Sequence, residues 1–401
     1  MSRFNVSQNH PLITNSQEYL DYRKYVSIHS EDRDITKYPN SNEFEIELPQ
    51  DYLNVSSVRL STWSFPANYN TFSVANGNVT LTFKFNNLYN PGEHGLSDPL
   101  QDEIFSALYN YKNPVLGTSE FLVNIQDGFY NPTQLSNELS NRMNFIVTSY
   151  LKTAIDPTYL NQFIEQGGYT DFVVAYNEVG QTMWFGNRSS SFTLTNQTQL
   201  NNKQITNSLC IYKSTLPDFS DYGLASNLGF NPCNVSSITT SDIDLARFYY
   251  GSVNAGDNGY WLTPNPNLPG AQISFIKPLY KINIMGPAYF YMEISSLNNI
   301  DETSPFALNE FTKHTNETNG IVNAAFAKIP ISSTPLSQWF DLEMIPYKQF
   351  VPPAERLRKL KIKLRYHNGS PVDFGKFNYS FTLEFSLLNN QIKRDYNIFD
   401  K

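Results

Sequence analysis

The sequence predicts an all-β protein of β-sandwich architecture, and three observations carry that expectation. Aromatic residues make up 15% of the 401 residues, with 26 Tyr and 29 Phe, whereas charged residues are only 16%, below the usual quarter. Short apolar–polar alternations recur along the chain, and turns rich in Asn, Gly, Ser and Pro separate them. Strands do not alternate with helices, so a parallel α/β sheet is excluded.

The clearest alternation lies at 356–388 and reads as two strands around one turn. In the first strand Leu357, Leu360, Ile362 and Leu364 are apolar, and Arg358, Lys361, Lys363 and Arg365 stand between them. Asn368-Gly369, followed by Pro371, is a turn by its chemistry, because Asn-Gly accepts positive φ and Pro cannot extend a ladder. In the second strand Phe377, Tyr379, Phe381, Leu383, Phe385 and Leu387 alternate with Asn378, Ser380, Thr382, Glu384 and Ser386. The odd positions from Phe377 to Leu387 are therefore expected to be buried together. The Lys and Arg of the preceding strand are expected to face solvent or a neighbouring subunit.

Taken in order, residues 1–20 read as an arm without sustained periodicity. Strands are expected at 25–30, at 44–48 (stopped by Pro49), at 55–63 and at 79–85, and Arg33 is expected to pin the 31–42 loop through a carboxylate. Residues 86–119, with Pro91, Pro99 and Pro114, read as loop. After a strand at 121–125 comes a single short amphipathic helix near 132–150. Asn131 caps it, Pro132 suits its first position, and Leu135, Leu139, Met143, Ile146 and Tyr150 recur at helical spacing. Further strands are expected at 172–176, 182–185, 192–194, 209–213, 273–276, 280–284, 289–294, 321–329 and 340–345. This organisation suggests an arm at 1–20, a first sandwich at 21–200, a second with long loops at 201–392, and a tail at 393–401.

The chemistry of the chain is sparse. A net charge of −8 and a pI near 5.2 argue against direct nucleic-acid binding, which needs many phosphate-neutralising cations. The strongest basic patch, Arg356, Arg358, Lys359, Lys361, Lys363 and Arg365, reads as a solvated or partner-facing strand. Cys210 and Cys233 form no CxxC pair; a disulfide between them and two buried thiols both remain open, with thiols favoured. Residues 1–15 carry no apolar stretch of a secretory signal, and no run approaches the ~20 apolar residues that span a bilayer. The histidines His10, His29, His94, His314 and His367 are scattered, and no HExxH, GxSxG or P-loop occurs. Glu31-Asp32-Arg33-Asp34 lacks the Gly and the twelfth-position Glu of a calcium loop, and Asn298 to Glu302 reads as an Asx-type turn. Trp63, Trp184, Trp261 and Trp339 are expected in core or interface packing, with a carbohydrate-stacking site as the alternative. No catalytic, cofactor-binding or metal-ligating residue is predicted, and no cofactor.

Several motifs occur together in an order that resembles a known family. They are Ser30-Glu31-Asp32-Arg33-Asp34, then Tyr38-Pro39-Asn40-Ser41-Asn42-Glu43-Phe44 and Leu48-Pro49. Val55-Ser56-Ser57-Val58-Arg59-Leu60 leads on to Phe65-Pro66. Gly128-Phe129-Tyr130-Asn131-Pro132, Leu228-Gly229-Phe230 and Gly369-Ser370-Pro371-Val372-Asp373-Phe374 follow. The series is similar to the jelly-roll minor capsid proteins of nucleocytoplasmic large DNA viruses, the giant icosahedral viruses with an internal membrane. The resemblance implies a jelly-roll fold, either two tandem jelly rolls or one jelly roll with a large insertion. It implies a non-enzymatic virion protein of the capsid shell, assembled in the host cytoplasm. Its expected partners are the major capsid protein, other minor capsid proteins, copies of itself and the inner viral membrane. The alternative function is that of a carbohydrate-binding β-sandwich.

Overall fold

The computed structural model describes residues 19–66, 70–74, 76–195, 223–230, 234–250, 259–303, 323–331, 338–339, 346–367 and 369–390. Their elements in chain order are β1 (Tyr19–His29), β2 (Glu43–Pro66), β3 (Thr80–Phe85), α1 (Pro99–Tyr109), β4 (Phe121–Asn124), α2 (Pro132–Ala154) and α3 (Pro157–Glu165). Then come β5 (Phe172–Asn177), β6 (Thr182–Asn187), β7 (Phe192–Thr195), α4 (Gly223–Asn227), β8 (Val235–Ser236), β9 (Ile238–Thr240) and β10 (Ile273–Ile276). The last are β11 (Tyr289–Ile294), β12 (Ile300–Glu302), β13 (Asn323–Ala325), β14 (Ala327–Pro330), β15 (Gln338–Trp339), β16 (Tyr347–Arg365) and β17 (Ser380–Asn390). Residues 1–18 of the predicted 1–20 arm, the tail at 393–401, the strands at 209–213 and 340–345, and both cysteines lie outside the described residues; Tyr19 and Leu20, expected in the arm, open β1.

The chain divides into two compact units, but not at residue 200. One takes the described residues of Met1–Tyr69, Pro287–Pro305 and Phe311–Lys401, and the other those of Asn70–Gly286. The second unit is thus an insertion within the sequence of the first, so tandem halves at 21–200 and 201–392 are incorrect. The cause is long-range pairing. β1 pairs with β17 from His29 opposite Ser380 to Tyr19 opposite Asn390, and β2 pairs with both β16 and β17. Loop lengths along the sequence say nothing about which strands meet.

Unit 1 is a jelly roll. The reading of 356–388 as a hairpin is corrected, because β16 and β17 lie on either side of β2 in the order β1-β17-β2-β16-β11-β14. β2 carries a corner at Asn54, whose φ is +52°, and beyond it changes partners. Its second half (55–66) runs beside β17 and the start of β16, whereas its first half (43–53) runs beside the end of β16. β16 turns in step, with a register break between Gln349 and Ala354. Counted as segments, the strands form two antiparallel sheets. One holds β1, β17, the second half of β2 and the start of β16; the other holds the first half of β2, the end of β16, β11 and β14. That is the eight-segment, doubly Greek-keyed pattern of a jelly roll.

Ring contacts show that the two sheets close on one another. Phe44 and Phe65 stand at opposite ends of β2, which in a straight strand would separate them by roughly 70 Å. Yet both meet Tyr379, with ring centroids 6.3 and 4.8 Å away. Tyr379 donates its hydroxyl to the Ser41 carbonyl at 2.8 Å, tying the start of β17 to the start of β2. Tyr379, Phe381, Leu383, Phe385 and Leu387 are buried as the alternation requires, but Phe377 is 51% exposed. The chain before β17 is a turn, with Gly375 at φ +61° and Phe377 N–H donating to Phe374. Phe374 therefore takes the inward place.

Unit 2 is a second sandwich, with sheets β5-β6-β10-β9 and β4-β3-β7-β8. Phe172 of the first sheet packs against Phe83 and Phe192 of the second, centroids 4.8 and 5.3 Å apart. α2 adds Leu135, Leu139, Met143, Val147 and Leu151 to this core. It is capped as expected by Asn131, with Gln134 completing a reciprocal box, and continues past 150 to Ala154. It is not the only helix. α1 lies within the predicted loop, capped by Asp98 with Pro99 at its start and Leu100, Ile104, Phe105 and Leu108 buried. α3 follows the same formula with Asp156 and Pro157.

The predicted strand at 280–284 is irregular. Its amides find separate loop acceptors: Tyr280 donates to Gly229, Ile282 to Gln181 and Asn283 to Asn227. Gly229, at φ +85°, lies so close that an added Cβ would overlap the Tyr280 carbonyl. Gly229→Ala is expected to lower unit 2 stability by more than about 1 kcal/mol, read as a fall in the denaturant midpoint. An unchanged midpoint would mean that this backbone contact is not formed.

Candidate interaction surfaces

The basic strand predicted to face solvent meets acid inside its own sheet. Antiparallel register sets Lys359, Lys361 and Lys363 of β16 opposite Glu47, Glu45 and Glu43 of β2. Lys359 Nζ lies 3.0 Å from Glu47 and 3.5 Å from Glu45, and Lys361 Nζ lies 3.0 Å from Glu43. Arg356 reaches Asp51 at 2.7 Å. Hydrogen bonding from Lys359 holds the Glu47 carboxyl below its usual range, and Glu47 in turn raises the Lys359 ammonium. The stripe is a mixed-sign, solvent-exposed ladder, locally close to neutral, in place of a phosphate-binding patch.

Arg365 departs from this pattern. Expected outside, it is fully buried and bonded to Glu293 of β11 and Glu302 of β12. The Tyr291 ring lies 5.3 Å from its guanidinium carbon, and His367 Nδ1 lies 3.2 Å from Glu302. Burial, reinforced by the Glu302 charge, pushes the Tyr291 hydroxyl up to about 12. β12 brings Glu302 over this end of the sheet, which the parity of β16 does not reveal.

The remaining candidates are structural. Arg33 pins its loop, as expected, through carbonyls in place of a carboxylate: Ser30 at 2.6 Å, Tyr38 at 3.0 Å and Pro39 at 3.1 Å. Hydrogen bonds from Thr36 and Lys37 hold Asp34 below its usual range. The Asx-type turn expected at 298–302 is not formed: the Asn298 side chain accepts from the Ile294 amide, four residues earlier, and 300–302 is strand β12. His29 sits 3.1 Å from Ser27, and His94 stacks on Tyr89 with centroids 5.0 Å apart. His10 and His314 lie outside the described residues. Among the described residues no three His, Cys, Asp or Glu side chains cluster as metal ligands, and no helix is long and apolar enough to cross a membrane.

Trp63 is buried in the unit 1 core. Trp184 and Trp261 meet edge to face with centroids 5.7 Å apart. Phe248 packs on both, and Lys277 lies 4.3 Å above the Trp184 ring. The rings of these tryptophans are occupied by one another. The Trp339 side chain lies outside the described residues.

A buried polar group in unit 2 ties loops to the sheet. Asp171 accepts from Ser189 Oγ at 2.5 Å and from Asn265 Nδ2 at 2.7 Å. Burial raises its carboxyl above the ordinary value of 3.8, despite these hydrogen bonds. The folded state therefore holds this proton more tightly than the unfolded chain, and stability is lost as pH rises through that window. Asp171→Asn is expected to flatten the pH dependence of melting in the acidic range just above the ordinary carboxylate value. An identical profile in the variant would remove Asp171 as its source.

The strand order defines the class: a jelly roll carrying an inserted β-sandwich. No family model matches the chain, and no curated protein matches it. Among solved structures it is similar to a chain of the Sputnik virophage cryo-EM structure at 10% identity and a TM-score of 0.36, covering 91% of this chain and 98% of that one. It is also similar to the crystallised mavirus penton protein at 8% identity and a TM-score of 0.32, covering 92% and 99%. The fold assignment rests on strand pairing alone.

Proposed function

We propose that this chain is a structural protein of a virus particle, a minor capsid or vertex-associated subunit that binds and stabilises an icosahedral lattice. The observation that supports this most is where the family-like motifs fall in unit 1. Ser30 to Asp34 and Tyr38 to Phe44 form the corner between β1 and β2, locked by Arg33 and joined to β17 through Ser30 Oγ and the Tyr379 amide at 2.9 Å. Val55 to Leu60 is the segment of β2 shared between β16 and β17. Gly369 to Phe374 carries the chain from β16 towards β17 and buries Val372 and Phe374. These residues build the jelly roll, so the resemblance and the strand order support the same reading.

Partners in this reading are the major capsid protein, other minor capsid proteins, further copies of the chain and the inner membrane, with assembly in the host cytoplasm. The mixed-sign ladder of β2 and β16 suits polar contacts between subunits better than nucleic acid. Quantitative mass spectrometry of purified virions, stripped stepwise with detergent and salt, tests the proposal. The chain is expected in the shell fraction at a fixed ratio to the major capsid protein. Its absence from the particle would overturn the reading.

A further inference from the structure

Unit 2 holds an open cleft of about 710 Å³ between the 85–91 segment, α1 and the start of β4, within the roughly 300–1,000 Å³ range of small-molecule sites. Its apolar lining is Phe85, Leu88, Phe105, Leu108 and Phe121, of which the last three are buried. Its rim is polar and carries Glu93 and Asp102, with no Lys or Arg among the described residues.

The rim groups fall into two sets. Asn90 caps the following turn and binds Glu93 at 3.0 Å, and Asn86 Oδ1 accepts from Thr193 at 2.9 Å. These are engaged in holding the wall. The side chains of Asn87, Asp102, Ser106, Tyr109 and Ser119 also line the cleft, and none of their polar atoms bonds to another described residue. Tyr109 is 82% exposed, an aromatic ring at the lip.

We propose that this cleft binds a neutral glycan. Two carboxylates without a cation disfavour phosphate, sulfate and sialylated ligands by like-charge repulsion. An acceptor-only rim would suit a cationic side chain, but here one amide and three hydroxyls supply donors as well as acceptors. A sugar hydroxyl is itself both donor and acceptor and matches that mixed set. The C–H face of a pyranose is apolar and complements an exposed ring such as Tyr109. The cleft is built from unit 2 alone and does not depend on the virion reading.

The test is binding of the full chain to unlabelled chitotriose, maltotriose and a mannotriose, followed by saturation-transfer NMR and calorimetry, with a heparin trisaccharide and a Lys-Arg tripeptide as comparators. At least one neutral trisaccharide is expected to bind, and Asn87→Ala, Asp102→Ala and Tyr109→Ala are each expected to raise its Kd by roughly 3- to 10-fold. All three positions are exposed, so their melting temperatures are expected to stay at the parent value. A variant that melts lower is replaced in the comparison by Ser119→Ala, which also lines the cleft. No neutral trisaccharide bound at millimolar concentration would overturn the proposal. So would preference for the heparin fragment or the basic tripeptide, or neutral binding indifferent to all the substitutions.

Discussion

Arg365→Leu is expected to destabilise unit 1 by about 3–5 kcal/mol, the usual cost of removing one partner from a buried ion network. Leucine fills part of the space but leaves Glu293 and Glu302 without the guanidinium that bonds both. Both carboxylates are nearly inaccessible, with side chains 8% and 1% exposed, so water cannot replace the lost partner. Combining Arg365→Leu with Glu293→Gln and Glu302→Gln is expected to recover most of the stability, because removing all the charges together strands none. Chemical denaturation of the single and triple variants measures this. A single variant within 1 kcal/mol of the parent would show that the network is not buried in solution.

Arg365 also marks where reading the sequence stops. Period-two alternation is local, and it correctly placed Leu360, Ile362 and Leu364 in the core. What covers the opposite face of β16 depends on β12, more than 60 residues away in sequence, and no local pattern encodes that. The same limit explains the misplaced division at residue 200. The strand residues near 44–48, 55–63 and 289–294 were legible from their own pattern, but Pro49 does not stop the first of these strands: 44–48 and 55–63 belong to one strand, β2. That β17 returns beside β1 and β2 was not legible, since pairing partners are chosen by the whole core. The helices failed for a different reason. Asn131-Pro132, Asp98-Pro99 and Asp156-Pro157 are the same signal, an oxygen-bearing cap followed by proline in the first turn. Only the first precedes a long unbroken apolar stripe; Pro99 falls among the prolines of the predicted loop, and no element is predicted at Pro157. The polar cleft of unit 2 was illegible for a third reason. Its rim comes from a loop, α1 and the start of β4, none of which carries a motif.

Tyr379 is expected to be the most sensitive aromatic of the β17 series. Its ring touches Phe44, Phe65, Phe374 and Phe381, which lie at both ends of β2, before β17 and within it. Truncation to Ala removes a side chain that touches both ends of the bent strand, and about 3–5 kcal/mol is expected to be lost. Tyr379→Phe keeps the ring and isolates the hydroxyl. Because Ser41 is itself buried, its carbonyl loses a partner that water cannot supply, and about 1–2 kcal/mol is expected. Phe377 shares the parity of Tyr379 but is half exposed and precedes the strand, so Phe377→Ala is expected to fall within about 0.5 kcal/mol of the parent. Equilibrium unfolding followed by tyrosine fluorescence and far-UV circular dichroism separates the three. Equal losses at 377 and 379 would mean that the alternation runs on through the turn and that β17 begins earlier than Ser380.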